Sequence, residues 1–196
     1  EMLYLIFKNL KFTTLNFETS LGLYISIMTD TNSFRYARTT PLSHKIAAET
    51  IENGVNAEDV YQSIFSSKEV SHIKLLGEIL KEVQISNNGK IAWMEINLDL
   101  RKKHQASADD TLSFMNLLLL IKNAEIVCLF RVEDEGSVRV SMRSKGKVTI
   151  NKIAAEFGGG GHNYAAGFSI ESTLEKTVKA VVKRLTDTLE DFEKFR

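Results

Sequence analysis

The chain has 196 residues, 43% hydrophobic and 26% charged, which excludes a disordered tract, a collagen-like repeat and a disulfide scaffold and leaves room for one large domain or two small ones. Twenty-five Lys and Arg balance twenty-five Asp and Glu, so no net positive field attracts nucleic acid or membrane nonspecifically, and any anion site must be local.

The first half has a helical period. Apolar residues recur at three and four spacing through Leu21, Tyr24, Ile25 and Met28, then Ile46, Thr50 and Ile51, then Val70, Ile73, Leu76, Ile79, Leu80 and Val83. Thr40 before Pro41 reads as an N-cap with proline at the first helical position. Gly54 reads as a left-handed stop, and Asn56 as the cap of the next helix. The long pattern from Val70 to Val83 suits a rigid arm between two packed units. Asn87-Asn88-Gly89 is a turn, and Lys90 to Ile96 a strand that opens the second domain. Beyond it the pattern predicts a helix over Leu112–Lys122, a buried strand over Ile126–Val132, a hairpin turn at Glu133–Gly136 and an alternating strand over Ser137–Arg143. On that last strand Val138, Val140 and Met142 point one way, while Ser137, Arg139, Ser141 and Arg143 point the other. A short helix around Lys152–Phe157, four glycines, a strand near Ala166–Ile170 and a final helix complete the chain. Ser172 with Glu175 reads as a capping box, and Leu174, Val178, Val181, Leu185 and Leu189 form an apolar stripe. The only cysteine, Cys128, lies within Ile126-Val127-Cys128-Leu129-Phe130 and reads as a buried, inert thiol in a reducing compartment. With no basic leader and no apolar run near the ~20 residues of a membrane span, the expectation is a cytoplasmic protein without a membrane partner.

Three segments carry candidate chemistry. Glu156-Phe157-Gly158-Gly159-Gly160-Gly161-His162 runs a helix end into a glycine tetrad and a histidine. Four glycines in succession lose much backbone entropy on folding, and one use for them is to let N–H groups converge on an anionic oxygen, with His162 adding a hydrogen bond or a charge. The alternative is a helix stop followed by a plain turn. Upstream, Arg139, Arg143, Lys145, Lys147 and Lys152 occur with no acid between positions 139 and 152. Arg143, ending the polar face of its strand next to Ser144, is the candidate phosphate grip, while Lys145 and Lys147 read as a solvated hairpin face. The third segment is Met28-Thr29-Asp30-Thr31-Asn32-Ser33-Phe34-Arg35-Tyr36, where Asp30 stands at a helix end among hydroxyls and offers an oxygen ligand of the kind that suits Mg²⁺ or Mn²⁺. One carboxylate does not make a metal site. His44, His72 and His104 lie far apart and read as structural or surface residues, and Glu133-Asp134-Glu135 as a solubilising tip.

Ser141-Met142-Arg143-Ser144, followed by Gly158 to Gly161, His162, Ala165, Ala166, Gly167 and Phe168, resembles the signature of the DHH-associated C-terminal domain. Thr29-Asp30-Thr31 with Ser33-Phe34-Arg35 resembles the last metal motif of DHH-family phosphoesterases, and Thr39-Thr40-Pro41 is similar to the helix start of their bacterial nanoRNase and pAp-phosphatase branch. The resemblance implies an α/β fold with α+β character: residues 1–66 as the C-terminal part of a DHH domain, 67–86 as a connecting helix and linker, and 87–196 as a smaller mixed-sheet substrate-binding domain. It implies two Mn²⁺ ions (or Mg²⁺) with Asp30 as one ligand, Arg143 and Ser144 as substrate contacts, and Gly159, Gly160, Gly161 and His162 as a cradle for a phosphate or nucleotide end. The implied substrates are short oligoribonucleotides and the nucleoside bisphosphate pAp. A cyclic-dinucleotide phosphodiesterase, a RecJ-like exonuclease and a non-catalytic RNA-binding module are the rival readings, and a homodimer stays open. Asn32 replaces the family's usual glycine, which suits a left-handed position. The family's earlier motifs, including Asp-His-His, are expected before Glu1, so the polypeptide by itself is expected to be inactive.

Overall fold

In a computed structural model, residues 1–10, 15–36, 38–66, 69–105, 114–134 and 136–194 are described. The chain is α/β and divides into two compact units, Glu1–Lys68 and Glu69–Arg196.

The first unit is helical: α1 (Met2–Asn9), α2 (Phe17–Asp30), α3 (Pro41–Glu52) and α4 (Ala57–Phe65). Its helices begin where the sequence supplies a side-chain oxygen. Asn16, Thr40 and Asn56 accept the first free N–H groups of α2, α3 and α4, and Thr40 and Ser43 form a reciprocal capping box ahead of Pro41. Gly54, at φ +96°, turns the chain after α3. α2 carries apolar residues on two sides. Leu23 and Ile27 join Tyr4, Leu15 and Ile46, while Tyr24 and Met28 join Ala47, Val55 and Val60.

The second unit is a six-stranded mixed sheet with helices on both faces. Its elements are α5 (Val70–Lys81), β1 (Gln84–Ile85), β2 (Ile91–Ile96), α6 (Leu98–His104), α7 (Met115–Leu118), β3 (Ile126–Asp134), β4 (Ser137–Ser144), α8 (Asn151–Glu156), β5 (Gly160–His162), β6 (Ala165–Glu171) and α9 (Leu174–Lys194), with strand order β1-β2-β3-β4-β6-β5. Only β2 and β3 run parallel. The segment expected as a rigid arm packs within this unit, since Leu75 and Ile79 of α5 are fully buried with Ala92, Met94 and Val127. Of the helix expected over Leu112–Lys122, the described part is the single turn of α7, followed by turns from Leu119; residues 112 and 113 lie outside the described residues. The last helix is capped by Thr173, whose hydroxyl accepts the Lys176 N–H, rather than by Ser172.

The two sheet faces differ, and that difference positions the site. One face is buried across β2, β3, β4 and β6: Ile91, Cys128, Phe130, Val140, Met142 and Phe168 pack against Ile153 of α8 and Val181, Leu185 and Leu189 of α9. Each such side chain contributes roughly 1.5–3 kcal/mol by leaving water. On the other face α5, α6 and α7 cover β2 and β3. β3 is therefore buried on both sides and reads as a continuous apolar run, whereas β4 alternates. No helix described in this unit lies over that face of β4, β6 and β5. No helix among the described residues is long and apolar enough to cross a membrane.

Candidate functional site

The uncovered half-face is a shelf built by strand register. Arg143 of β4 pairs with Ala165 of β6, which pairs with His162 of β5. In the next row Ser141 pairs with Gly167 and Gly167 with Gly160, and beyond that Arg139 pairs with Ser169. Side chains in register on neighbouring strands share a face, so these eight residues stand together. The floor is made of small residues and the borders are cationic. Gly160, His162, Ser169 and Arg139 are exposed, Arg143, Ala165 and Gly167 half-buried, and Ser141 buried. Arg143 makes one hydrogen bond, Nη1 to the Met142 carbonyl at 3.3 Å, which leaves most of its fork uncommitted. The His162 ring has no hydrogen-bond partner among the described residues. Arg139 Nη1 reaches the Ser169 hydroxyl at 3.3 Å. A guanidinium and an imidazole flanking a flat, bare surface can hold an anion from two sides while a planar or ring-shaped group rests on the floor.

The glycine tetrad has a structural reason other than a converging ring of amides. The Gly158 N–H goes to the Ala155 carbonyl (3.0 Å) and the Gly159 N–H to the Ala154 carbonyl (2.9 Å), so both finish α8 and neither is free for an anion. A Cβ at Gly159 would stand 2.3 Å from the Gly167 carbonyl oxygen, and one at Gly161 would stand 2.5 Å from that of Ala165. Glycine is required at both positions because β5 lies so close to β6. Gly160 differs, because nothing lies within 4 Å of its Cβ direction. It is the bare spot of the shelf.

Ser144 is not brought to this face. Its hydroxyl lies 3.3 Å from Glu125 Oε1 and accepts the Gly146 N–H at 3.2 Å, one strand position out of phase with Arg143. Ser141 takes the place expected for it. Ser141, Gly167 and Ser169 were legible only as every second residue of two paired strands. Glu133, read as part of a solubilising tip, is half-buried and pairs with Arg131 (2.5 Å) and Arg101 (3.2 Å); Glu135 lies outside the described residues. Cys128 is fully buried, and burial pushes its thiol far above the usual range, which fits an inert side chain.

Asp30 is the last residue of α2. Its side chain is 77% exposed, with Arg38 Nη1 at 3.9 Å. The backbone after it turns left-handed for three residues in succession: Asn32 at φ +49°, Ser33 at +57° and Phe34 at +63°. Thr31 holds the turn. Its buried hydroxyl donates to the Ile27 carbonyl at 2.6 Å and accepts the Phe34 N–H at 2.9 Å, while Phe34 stacks on His44 at 4.9 Å. No group of three or more His, Cys, Asp or Glu that could hold a metal occurs among the described residues. A lone exposed carboxylate does not fit a two-metal centre, so no step through a metal is derived from these residues.

Residues 87–191 match the DHHA1 domain family. The chain is 29% identical over 174 residues to a bifunctional oligoribonuclease and PAP phosphatase of Thermus thermophilus, covering 86% of this chain and 52% of that protein. It is 32% identical over 158 residues to the Bacillus subtilis protein of the same description, covering 81% and 49%. The chain thus spans about half the length of these curated relatives. Among solved structures, an exopolyphosphatase-related protein from Bacteroides fragilis superposes with a TM-score of 0.81 at 29% identity, over 92% of this chain and 52% of that one. With residues 87–191, more than half of its length, matched, the chain belongs to the DHHA1 domain family.

Proposed function

We propose that this chain supplies the substrate grip of a manganese-dependent phosphoesterase acting on short oligoribonucleotides and on pAp. The observation that carries the reading is the row Arg143–Ala165–His162 at the border of the uncovered half-sheet. Arg143 takes two phosphoryl oxygens with its fork, and His162 donates to a third from the opposite side. The floor of Ser141, Gly160 and Gly167 leaves room for a ribose or base to lie flat, with the exposed Ser169 hydroxyl within reach of sugar oxygens. Fixing the phosphate in this way lowers the entropy cost of any attack upon it. Manganese enters only through Asp30, one oxygen ligand of a set that the described residues do not complete, so bond cleavage is assigned to no residue of this chain. Names carried by the Thermus and Bacillus relatives support the substrate class.

The test is a calorimetric titration of the 196-residue chain with AMP, pAp and a diribonucleotide, alongside an assay with Mn²⁺ and pAp. The expected result is weak mononucleotide binding, Kd on the order of 1 mM, without turnover. Robust turnover would overturn the assignment of grip without cleavage. Tight binding of long RNA unaffected by Arg143→Ala would favour an RNA-binding module, and a preference for a cyclic dinucleotide would redirect the substrate.

A further inference from the structure

A second cationic feature of this unit lies at the end of the sheet beyond Arg143, on the side of the core packed by α9. A cleft of about 360 Å³ opens between the loop at Lys122–Glu125, the loop at Lys145–Val148 and the C-terminal part of α9. Four ammonium groups line it, from Lys90, Lys122, Lys145 and Lys147, against one carboxylate, Glu125. That carboxylate is committed. Glu125 is 9% exposed, and its Oε1 accepts the Lys147 N–H at 2.8 Å. The two loops are stitched together: Lys145 N–H donates to the Glu125 carbonyl at 2.9 Å, and its Nζ to the Ile121 carbonyl at 2.6 Å. The cleft is therefore held in shape by its own backbone. The ammonium groups of Lys90 and Lys122 have no partner among the described residues. Val148, Leu189 and Phe192 add an apolar part to the lining.

We infer that this cleft binds a nucleoside phosphate, with the phosphate on Lys90, Lys122 and Lys147 and the base against Phe192 and Leu189. Two observations decide the class. Four ammonium groups against one acid favour an anion; Lys90 and Lys122 have no partner among the described residues, and Lys147 Nζ stands 4.0 Å from Glu125 Oε2. An aromatic and aliphatic contribution to the lining, at about 360 Å³, favours one that carries a ring. Lys145 and Lys147, which the sequence suggests are a solvated hairpin face, become parts of a site. The cleft shares no residue with the Arg143 shelf, so the two can be occupied and lost separately.

The test is a ¹⁵N-labelled chain titrated with AMP, with inorganic phosphate and with adenosine, reading backbone amide shifts. AMP is expected to move signals of residues 122–125 and 145–148, and to do so equally in Arg143→Ala. The double variant Lys122→Gln/Lys147→Gln is expected to weaken that response at least about tenfold while sparing any shifts at Gly160–Ala165. Phe192→Leu is expected to weaken AMP but not phosphate. Absence of shifts at residues 122–125 and 145–148 would overturn the site. Phosphate matching AMP, or adenosine matching AMP, would overturn the nucleoside or the phosphate half of the assignment. Shifts confined to residues 122–125 and 145–148, with none at Arg139–Arg143 or Gly160–Ala165, would uphold the cleft and sink the shelf.

Discussion

Arg143 and His162 stand in one row of the sheet with Ala165 between them, although 18 positions of chain and a helix separate them in sequence. Neither side chain has a core role, since Arg143 is half-buried and His162 exposed. Arg143→Ala and His162→Ala are therefore each expected to weaken AMP binding at the shelf about tenfold, the size of one charge-assisted hydrogen bond, while stability changes by less than roughly 0.5 kcal/mol. Arg143→Lys should recover only part of the loss, because an ammonium cannot reproduce the fork. Calorimetric titration and thermal melts of the same preparations check both halves.

The glycines separate packing from binding. Gly159→Ala brings a methyl group onto the Gly167 carbonyl and Phe168, so it is expected to destabilise the chain by roughly 3 kcal/mol. Gly160→Ala meets open space and is expected to leave stability unchanged. If the shelf carries the ligand, Gly160→Leu should nevertheless remove nucleotide binding at the shelf from a normally folded protein. Chemical unfolding curves and titrations of the three variants distinguish these effects.

Much of this was legible in the sequence, for reasons that can be named. Helix starts at Thr40 and Asn56 were readable because a capping side chain acts on its own neighbours. The contrast between the unbroken apolar run of β3 and the alternation of β4 already encoded which half of the sheet is bare on one face. The small side chains of β6 at Ala165, Gly167 and Ser169 gain meaning only once β6 is known to lie between β4 and β5, a long-range fact. β5 itself was missed because a strand of glycines has no apolar period, and glycine at 161 is set by close approach to β6. Ser144, a substrate contact implied by the resemblance, stands next to Arg143, but on a strand an adjacent residue faces away.

The turn after Asp30 concentrates backbone strain, since three non-glycine residues in succession adopt positive φ. Thr31→Val keeps the shape but strands the Phe34 N–H, and is expected to destabilise the first unit by about 1–3 kcal/mol. Asn32→Gly, which relieves part of the strain, is expected to be neutral or stabilising by up to about 1 kcal/mol. Urea unfolding followed by circular dichroism measures both, and a Thr31→Val protein as stable as the parent would remove that hydroxyl from the account.

Arg184 grips both carboxylate oxygens of Glu156, at 2.6 and 2.7 Å, and holds that carboxyl below its ordinary value. A carboxylate whose folded-state pKa is depressed adds stability at neutral pH and loses it as pH falls through the carboxylate range, below about 4.5. Both groups are well exposed, so the contribution is expected to stay under about 1 kcal/mol. Arg184→Met should lower stability slightly at pH 7 and flatten its decline between about pH 5 and 3. Stability curves collected across that range would expose an unchanged slope, which would exclude the pair as a contributor.

The most direct test is a crystal structure of the chain grown with AMP. The account predicts phosphoryl oxygens within about 3 Å of both the Arg143 guanidinium and the His162 ring, with the nucleoside lying over Gly160 and Gly167, whatever other site is also occupied. A nucleotide bound elsewhere at full occupancy, with the row of Arg143, Ala165 and His162 untouched, would contradict it.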